Sequence, residues 1–150
     1  MAGKKQFSTF IVDQLLFGVE VERVQEVIRY QEMTRVPLAP PVVKGLINLR
    51  GQIVTAIDLR RRLALHERAA TDLPMNVVVR HEDGAVSLLV DEIGDVLEVD
   101  EESFERPPET LDGKARELIC GVFKLESCLL HVLDTDKAVS LVRERQEKAP

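Results

Sequence analysis

The sequence predicts an all-β protein with a few short helices, folded as two similar five-stranded barrels packed side by side. Three observations predict it. Val, Ile and Leu dominate short apolar runs between turn residues, while aromatics are 4% and Trp is absent, so the core is aliphatic and strand-like. Two blocks of the chain recur in the same order. Each recurring unit holds about five short strands and is small for a core of its own. Closing such a sheet into a barrel removes exposed edges.

The repeat is explicit. Val19 to Ile28 (VEVERVQEVI) matches Leu88 to Leu97 (LLVDEIGDVL) at an offset of 69, and Gly45 to Leu59 (GLINLRGQIVTAIDL) matches Gly121 to Thr135 (GVFKLESCLLHVLDT) at an offset of 76. The apolar pattern, the glycine before the hairpin and the capping Asp58/Asp134 recur, as fold requirements should. Asn48-Leu49-Arg50-Gly51 does not recur: its counterpart is Lys124-Leu125-Glu126-Ser127. The first unit therefore carries polar features that the shared fold does not demand.

In chain order, Phe7–Val12 and Leu15–Val19 read as strands around an Asp13-Gln14 turn. Val21, Val24, Val27 and Ile28 switch to helical spacing, which predicts a short helix or a strand-to-helix transition. Thr34–Val36 is a brief strand, and Pro37, Pro40 and Pro41 stop pairing after it. Leu46, Ile47 and Leu49 lead to a turn at Arg50-Gly51, and Ile53, Val54, Ala56 and Ile57 return, because Gly51 supplies the φ > 0 that a two-residue hairpin needs. Asp58 suits an N-cap for a helix over 60–67. Residues 68–74 form a polar linker. Asn76–Arg80 and Ala85–Val90 flank a turn over His81–Gly84, Val96–Val99 is a strand, and 100–116 is a long loop. Ile119–Leu125 and Cys128–Leu133 form a last hairpin. Asp134 opens a helix through Val142, and 143–150 is a charged tail. The whole is one domain over 1–150, with a first unit at 7–67 and a second at 75–142.

Composition narrows the function. The net charge of −6 argues against nucleic acid, since the only basic cluster is Arg60–Arg62. His66, His81 and His131 are scattered, with no Cys-x-x-Cys, so neither metal nor cofactor is expected. No phosphate loop, nucleophile elbow or nucleophile–base pair can be assembled, so no catalytic residue is assigned. Asp91, Glu92 and Asp95 read as a solvated acidic face. Met1–Gln6 is polar and no apolar run approaches a span, which predicts a cytoplasmic protein without membrane insertion. Cys120 and Cys128 flank a hairpin closely enough for a bridge to be conceivable, but a reduced pair is expected in that compartment.

The string NLRGQIVTAIDL, with VERVQEV upstream and DEIGDVL downstream, closely resembles the signature of the CheW family of bacterial chemotaxis coupling proteins. The resemblance runs from Phe7 to about Val142. It implies SH3-like barrels and a scaffold without catalysis. It also implies two partners: the cytoplasmic tip of methyl-accepting chemotaxis receptors and the regulatory domain of a CheA-type histidine kinase. CheW–CheW ring contacts and recruitment to arrays at the inner membrane are implied as well. Alternatives are a CheW-type adaptor serving pili, gliding or development, or a generic small β-barrel that binds a peptide.

Seven residues are candidates for partner binding: Val24, Glu26, Gly45, Asn48, Arg50, Gly51 and Val96. Val24, Gly45 and Val96 are expected near a groove between the barrels, partly because the resemblance links these positions to receptor or kinase binding. If both units fold alike, Glu26 and Arg50 lie close together; the second unit has Asp95 and Glu126 there instead.

Overall fold

A computed structural model describes residues 3–66, 69, 72–82, 84–111 and 113–140. Its strands are β1 (Lys4–Val12), β2 (Leu15–Glu20), β3 (Val24–Ile28), β4 (Val43–Leu49), β5 (Gln52–Asp58), β6 (Met75–His81), β7 (Gly84–Val90), β8 (Glu92–Asp100), β9 (Phe104–Glu105), β10 (Ile119–Lys124) and β11 (Leu129–Leu133). The helices are short: α1 (Leu59–Arg62), α2 (Gly113–Leu118) and α3 over residues 135–140. The fold is all-β with a few short helices, as expected. The 68–74 linker lies partly, and the α3 extension to Val142 and the tail wholly, outside the described residues.

Two sheets form. One reads β3-β6-β7-β5-β4, the other β8-β1-β2-β11-β10-β9. The repeat equates β1 with β6, β2 with β7, β3 with β8, β4 with β10 and β5 with β11. With those substitutions the two strand orders coincide, β9 being additional. Each sheet nevertheless takes one hairpin from one half of the chain and its other strands from the other half: β6–β7 joins three first-half strands, and β1–β2 joins four second-half strands. β3 pairs with β6, β5 runs parallel to β7, β8 pairs with β1, and β11 runs parallel to β2. Division into units at 7–67 and 75–142 is therefore corrected: the halves exchange hairpins. The cause is local. Only Asp91 separates β7 from β8, and one residue cannot reverse a chain into a hairpin, so the strand runs on into the other sheet. A three-residue 3-10 turn, Val21–Arg23, does the same between β2 and β3.

The core follows the exchange. The main cluster joins Phe10, Val12, Phe17 and Val19 of one sheet to Ile57, Val77, Val79 and Leu88 of the other. Leu59 and Leu63 from the α1 region and Ala138 and Val139 from α3 complete it. Two smaller clusters belong to single sheets: Phe7, Val99, Phe123, Leu130 and Val132, and Ile47, Val54 and Val78.

Several local expectations change. Residues 24–28 form a strand, not a helix, because Val24, Val27 and Ile28 are β-branched and β6 offers its edge. The helix after Asp58 lasts four residues, with Leu63 and Ala64 already turning, although Asp58 caps it as predicted by accepting from Arg60 N–H at 3.1 Å. The 100–116 loop contains β9 and the start of α2. Cys120 and Cys128 are free, and the β10–β11 register puts them at opposite ends of the hairpin, roughly 13 Å apart along the strand, which precludes a bridge.

Candidate partner-binding surface

The β4–β5 hairpin turns at Arg50 and Gly51, with φ of 51° and 86°. Asn48 Oδ1 accepts the Gly51 N–H at 2.9 Å and braces the turn. Glycine adopts this backbone freely, but arginine does so at a cost of about 1–2 kcal/mol. What Arg50 gains is a bidentate pair: Nη1 and Nη2 donate to the two carboxylate oxygens of Glu26 at 2.9 and 2.8 Å. The pair was expected from the repeat alone. It joins β3 and the β4–β5 tip, which lie at opposite edges of the five-stranded sheet. The Arg50 side chain stays 79% exposed while that of Glu26 is 16% exposed, so the guanidinium is held from below and open above. An exposed ion pair contributes about 0–1 kcal/mol, too little to justify a strained arginine by stability.

Gly45 has a structural reason. Thr34 exchanges two backbone hydrogen bonds with Leu46, both 2.8 Å, and a Cβ on Gly45 would stand 2.7 Å from the Thr34 carbonyl oxygen. Gly121 repeats this against β9, where a Cβ would lie 2.5 Å from the Glu105 carbonyl oxygen and overlap the Phe104 ring. Val24 is half-buried at the margin of the main core, whereas Val96 is 57% exposed on β8, in the other sheet. Val96 is thus no core residue. Its repeat counterpart Val27 is also exposed, at 42%.

Two features escaped the sequence reading. Asp91 is not a solvated carboxylate: Arg60 Nε and Nη2 grip it, the latter at 2.6 Å, with Asp13 at 3.8 Å from Arg60 Nη1. The hydrogen bond to Asp91 also pushes the Arg60 guanidinium pKa up, against the opposing pull of burial. The other feature is an aromatic cleft of about 250 Å³ over Phe7, Phe104 and Phe123 on the six-stranded sheet. Its repeat counterpart, about 230 Å³, is lined by Tyr30, Met33, Lys44 and Leu89 and is more polar. Lys44 stands where Cys120 does and Leu89 where Glu20 does. Only the repeat alignment signals the pairing of the clefts, since their lining residues differ.

Among the described residues no His, Cys, Asp and Glu cluster could hold a metal, and no helix is long and apolar enough to cross a membrane. His131, read as a strand residue, is buried with Nδ1 2.9 Å from the Leu16 carbonyl oxygen and its ring beside Phe17.

The family model of the CheW-like domain matches residues 6–143. The chain belongs to the CheW-like family. It is 32% identical over 139 residues to the chemotaxis protein CheW of Treponema pallidum, covering 90% of this chain and 82% of that one. It is 35% identical over 127 residues to CheW of Bacillus subtilis, covering 85% and 81%. The scaffolding protein TtCheW of Thermoanaerobacter tengcongensis superposes with a TM-score of 0.78 at 27% identity, covering 89% of this chain and 90% of that one. A CheW-like chain is a chemotaxis adaptor, a scaffold without catalysis.

Proposed function

We propose that this chain couples the cytoplasmic tip of methyl-accepting chemotaxis receptors to the regulatory domain of a CheA-type histidine kinase. It works in the cytoplasm, at receptor arrays on the inner membrane. Contacts between CheW-like barrels extend the array into rings, since two non-identical ends give heterologous contacts that close when their rotation allows. Val24, Gly45 and Val96 border the receptor groove, Gly45 by keeping β4 close to Thr34. Asn48 and Gly51 shape the hairpin that presents Arg50, and Glu26 orients it.

The observation that carries this reading is the Arg50–Glu26 pair: a strained, 79% exposed guanidinium held by a largely covered carboxylate. Its remaining donors suit carboxylates or carbonyls of a partner. The test is receptor-dependent autophosphorylation of the kinase, reconstituted with purified components. A folded Arg50→Ala protein loses coupling, and the swap Glu26→Arg with Arg50→Glu remakes the ion pair without restoring activity. Normal activation by folded Arg50→Ala overturns the role of Arg50.

A further inference from the structure

β8 serves two cores, and one extra residue lets it. Ile93 lies opposite Phe10 and packs on the main cluster, whereas Val99 packs with Phe7 in the smaller cluster of the six-stranded sheet. Six residues apart, the two would share a face in an unbroken strand. The β1–β8 register explains the reversal: Phe10 pairs with Ile93 and Ser8 with Val96, so Gly94 and Asp95 together oppose Thr9. That is a β-bulge, which inserts one residue and re-aims those after it. It puts Val96 opposite Ser8, on the same face as Phe10, where it is 57% exposed. In a β8 anchored at Ile93 without the extra residue, Val96 would fall opposite Phe7 and turn to the other face.

The bulge is tied by a buried hydroxyl. Thr9, 2% exposed, donates from Oγ1 to the Asp95 carbonyl oxygen. Gly94 is fitted to that hydroxyl. A Cβ there would stand 2.5 Å from Thr9 Oγ1, while its next contact beyond the adjacent residues would be an ordinary 3.4 Å. Gly94 is not among the described glycines with a left-handed backbone, so the hydroxyl alone excludes a side chain.

The first unit has the same bulge without the hydroxyl. Val24 pairs with Val79 and Glu26 with Val78, which leaves Gln25 as the extra residue, and Val78 stands where Thr9 does. There Arg50 grips Glu26, the residue after the bulge. In the second unit the residue after the bulge is Asp95, and the position of Arg50 is taken by Glu126, a charge of the same sign. Thr9 supplies the missing hold, through the backbone carbonyl instead of the carboxylate.

We infer that Thr9 is a positioning residue for receptor binding: its hydroxyl fixes the β8 bulge and so holds Val96 toward the groove. This rests on the proposed function for the groove and adds the residue that sets Val96 in it.

Thr9→Val removes the hydroxyl at nearly constant shape, and Val78 shows that the fold accepts valine at this position. Amide exchange followed by NMR should quicken about tenfold at residues 94–97 relative to the β6–β7 hairpin. Affinity for a soluble helical-hairpin fragment of the receptor tip should fall about fivefold, and Thr9→Ser, which keeps the donor, should restore both. Urea unfolding gives a second check that needs no receptor. Gly94→Ala should raise the unfolding constant about tenfold in the parent, and less than about threefold once Thr9→Ala has cleared the space. Equal effects in the two backgrounds, or exchange in Thr9→Val equal to that of the parent, overturn the hold on the bulge. Val96→Asp separates the groove from the bulge. If it abolishes fragment binding while a Thr9→Val protein binds normally, Thr9 positions nothing. If Val96→Asp itself binds normally, the groove reading of Val96 fails, and the role of Thr9 in receptor binding falls with it.

Discussion

Arg60 and Asp136 stand at equivalent positions, two residues beyond the capping Asp58 and Asp134, and carry opposite charges. Arg60 grips Asp91 at the β7–β8 crossover and lies near Asp13 in the β1–β2 turn. Asp136 accepts from Arg23 at the β2–β3 crossover at 2.8 Å and stands 3.5 Å from His81 Nδ1 at the end of β6. Each cluster pins one point at which the chain changes sheets, with the signs inverted. They differ in burial. The Arg60 and Asp91 side chains are 16% and 17% exposed, whereas Arg23 and Asp136 are 32% and 67% exposed. Arg60→Ala should therefore cost on the order of 2–3 kcal/mol, since it takes the guanidinium away from a covered carboxylate and leaves it the Asp13 N–H at 2.7 Å. Arg23→Ala should cost less than about 1 kcal/mol. Urea unfolding of both variants checks the order.

The exposed cluster sets a pH response. The hydrogen bond from Arg23 holds the Asp136 carboxyl below its ordinary value of 3.8, with smaller help from the nearby charges and against the effect of burial. A carboxyl depressed in the folded state stabilises above its unfolded pKa, and that contribution disappears as pH falls through the folded value. The Asp136 contribution should thus be level from neutral pH down to about 4 and be lost below it. Asp136→Asn should narrow the stability difference between neutral and strongly acidic solution, by less than about 1 kcal/mol because the group is largely exposed. Paired denaturant titrations at the two pH values measure it.

The two repeat glycines should be intolerant of any side chain. Gly45→Ala and Gly121→Ala each push a methyl group against a backbone carbonyl of the neighbouring segment, and each should cost at least about 2 kcal/mol. Gly51→Ala meets open space and pays only the left-handed backbone cost, about 1 kcal/mol. Melting temperatures in that order confirm the assignment.

Arg50→Gly separates stability from function at a single position. Glycine relieves the left-handed strain at φ 51° while losing only an exposed ion pair. The variant should unfold at the same denaturant concentration as the parent or slightly higher, by up to about 1 kcal/mol, yet fail to couple kinase to receptor. A destabilised variant would show that the pair holds the sheet edge instead.

Neither half of the chain should fold alone. Residues 3–66 contain β1–β2, β3 and β4–β5, but the strands that join them into sheets, β6, β7, β8 and β11, lie in the second half. A fragment ending at residue 66 should give the poorly dispersed amide spectrum of an unfolded chain, and adding a fragment from residue 72 onward should restore dispersion. Native-like dispersion of the first fragment by itself would show independent units.

Much of this protein is legible in its residues taken singly and in pairs. The β-branched runs, the Arg50-Gly51 turn, the capping Asp58, the duplication and the family depend on local conformational preference or on spacing, and both survive in one dimension. Even the Glu26–Arg50 pair is legible, because the first unit carries opposite charges where the second has Asp95 and Glu126, and the two side chains do meet. The spacing of Val24, Val27 and Ile28 misled because it suits a helix, and only the open edge of β6 makes it a strand.

Tertiary structure alone decided which half pairs with which. A strand's hydrogen-bonding edge carries no address in its side chains, so the β3·β6 and β1·β8 pairings depended on crossovers too short to turn back. It also decided that Asp91 is gripped while Glu92 and Asp95 face solvent, and that Val96 is exposed while Val24 edges the core. It placed Phe7, Phe104 and Phe123 around one cleft from three distant stretches of chain. Burial and charge pairing are properties of what the rest of the chain brings near a residue, and here the exchange of hairpins between the halves determines that.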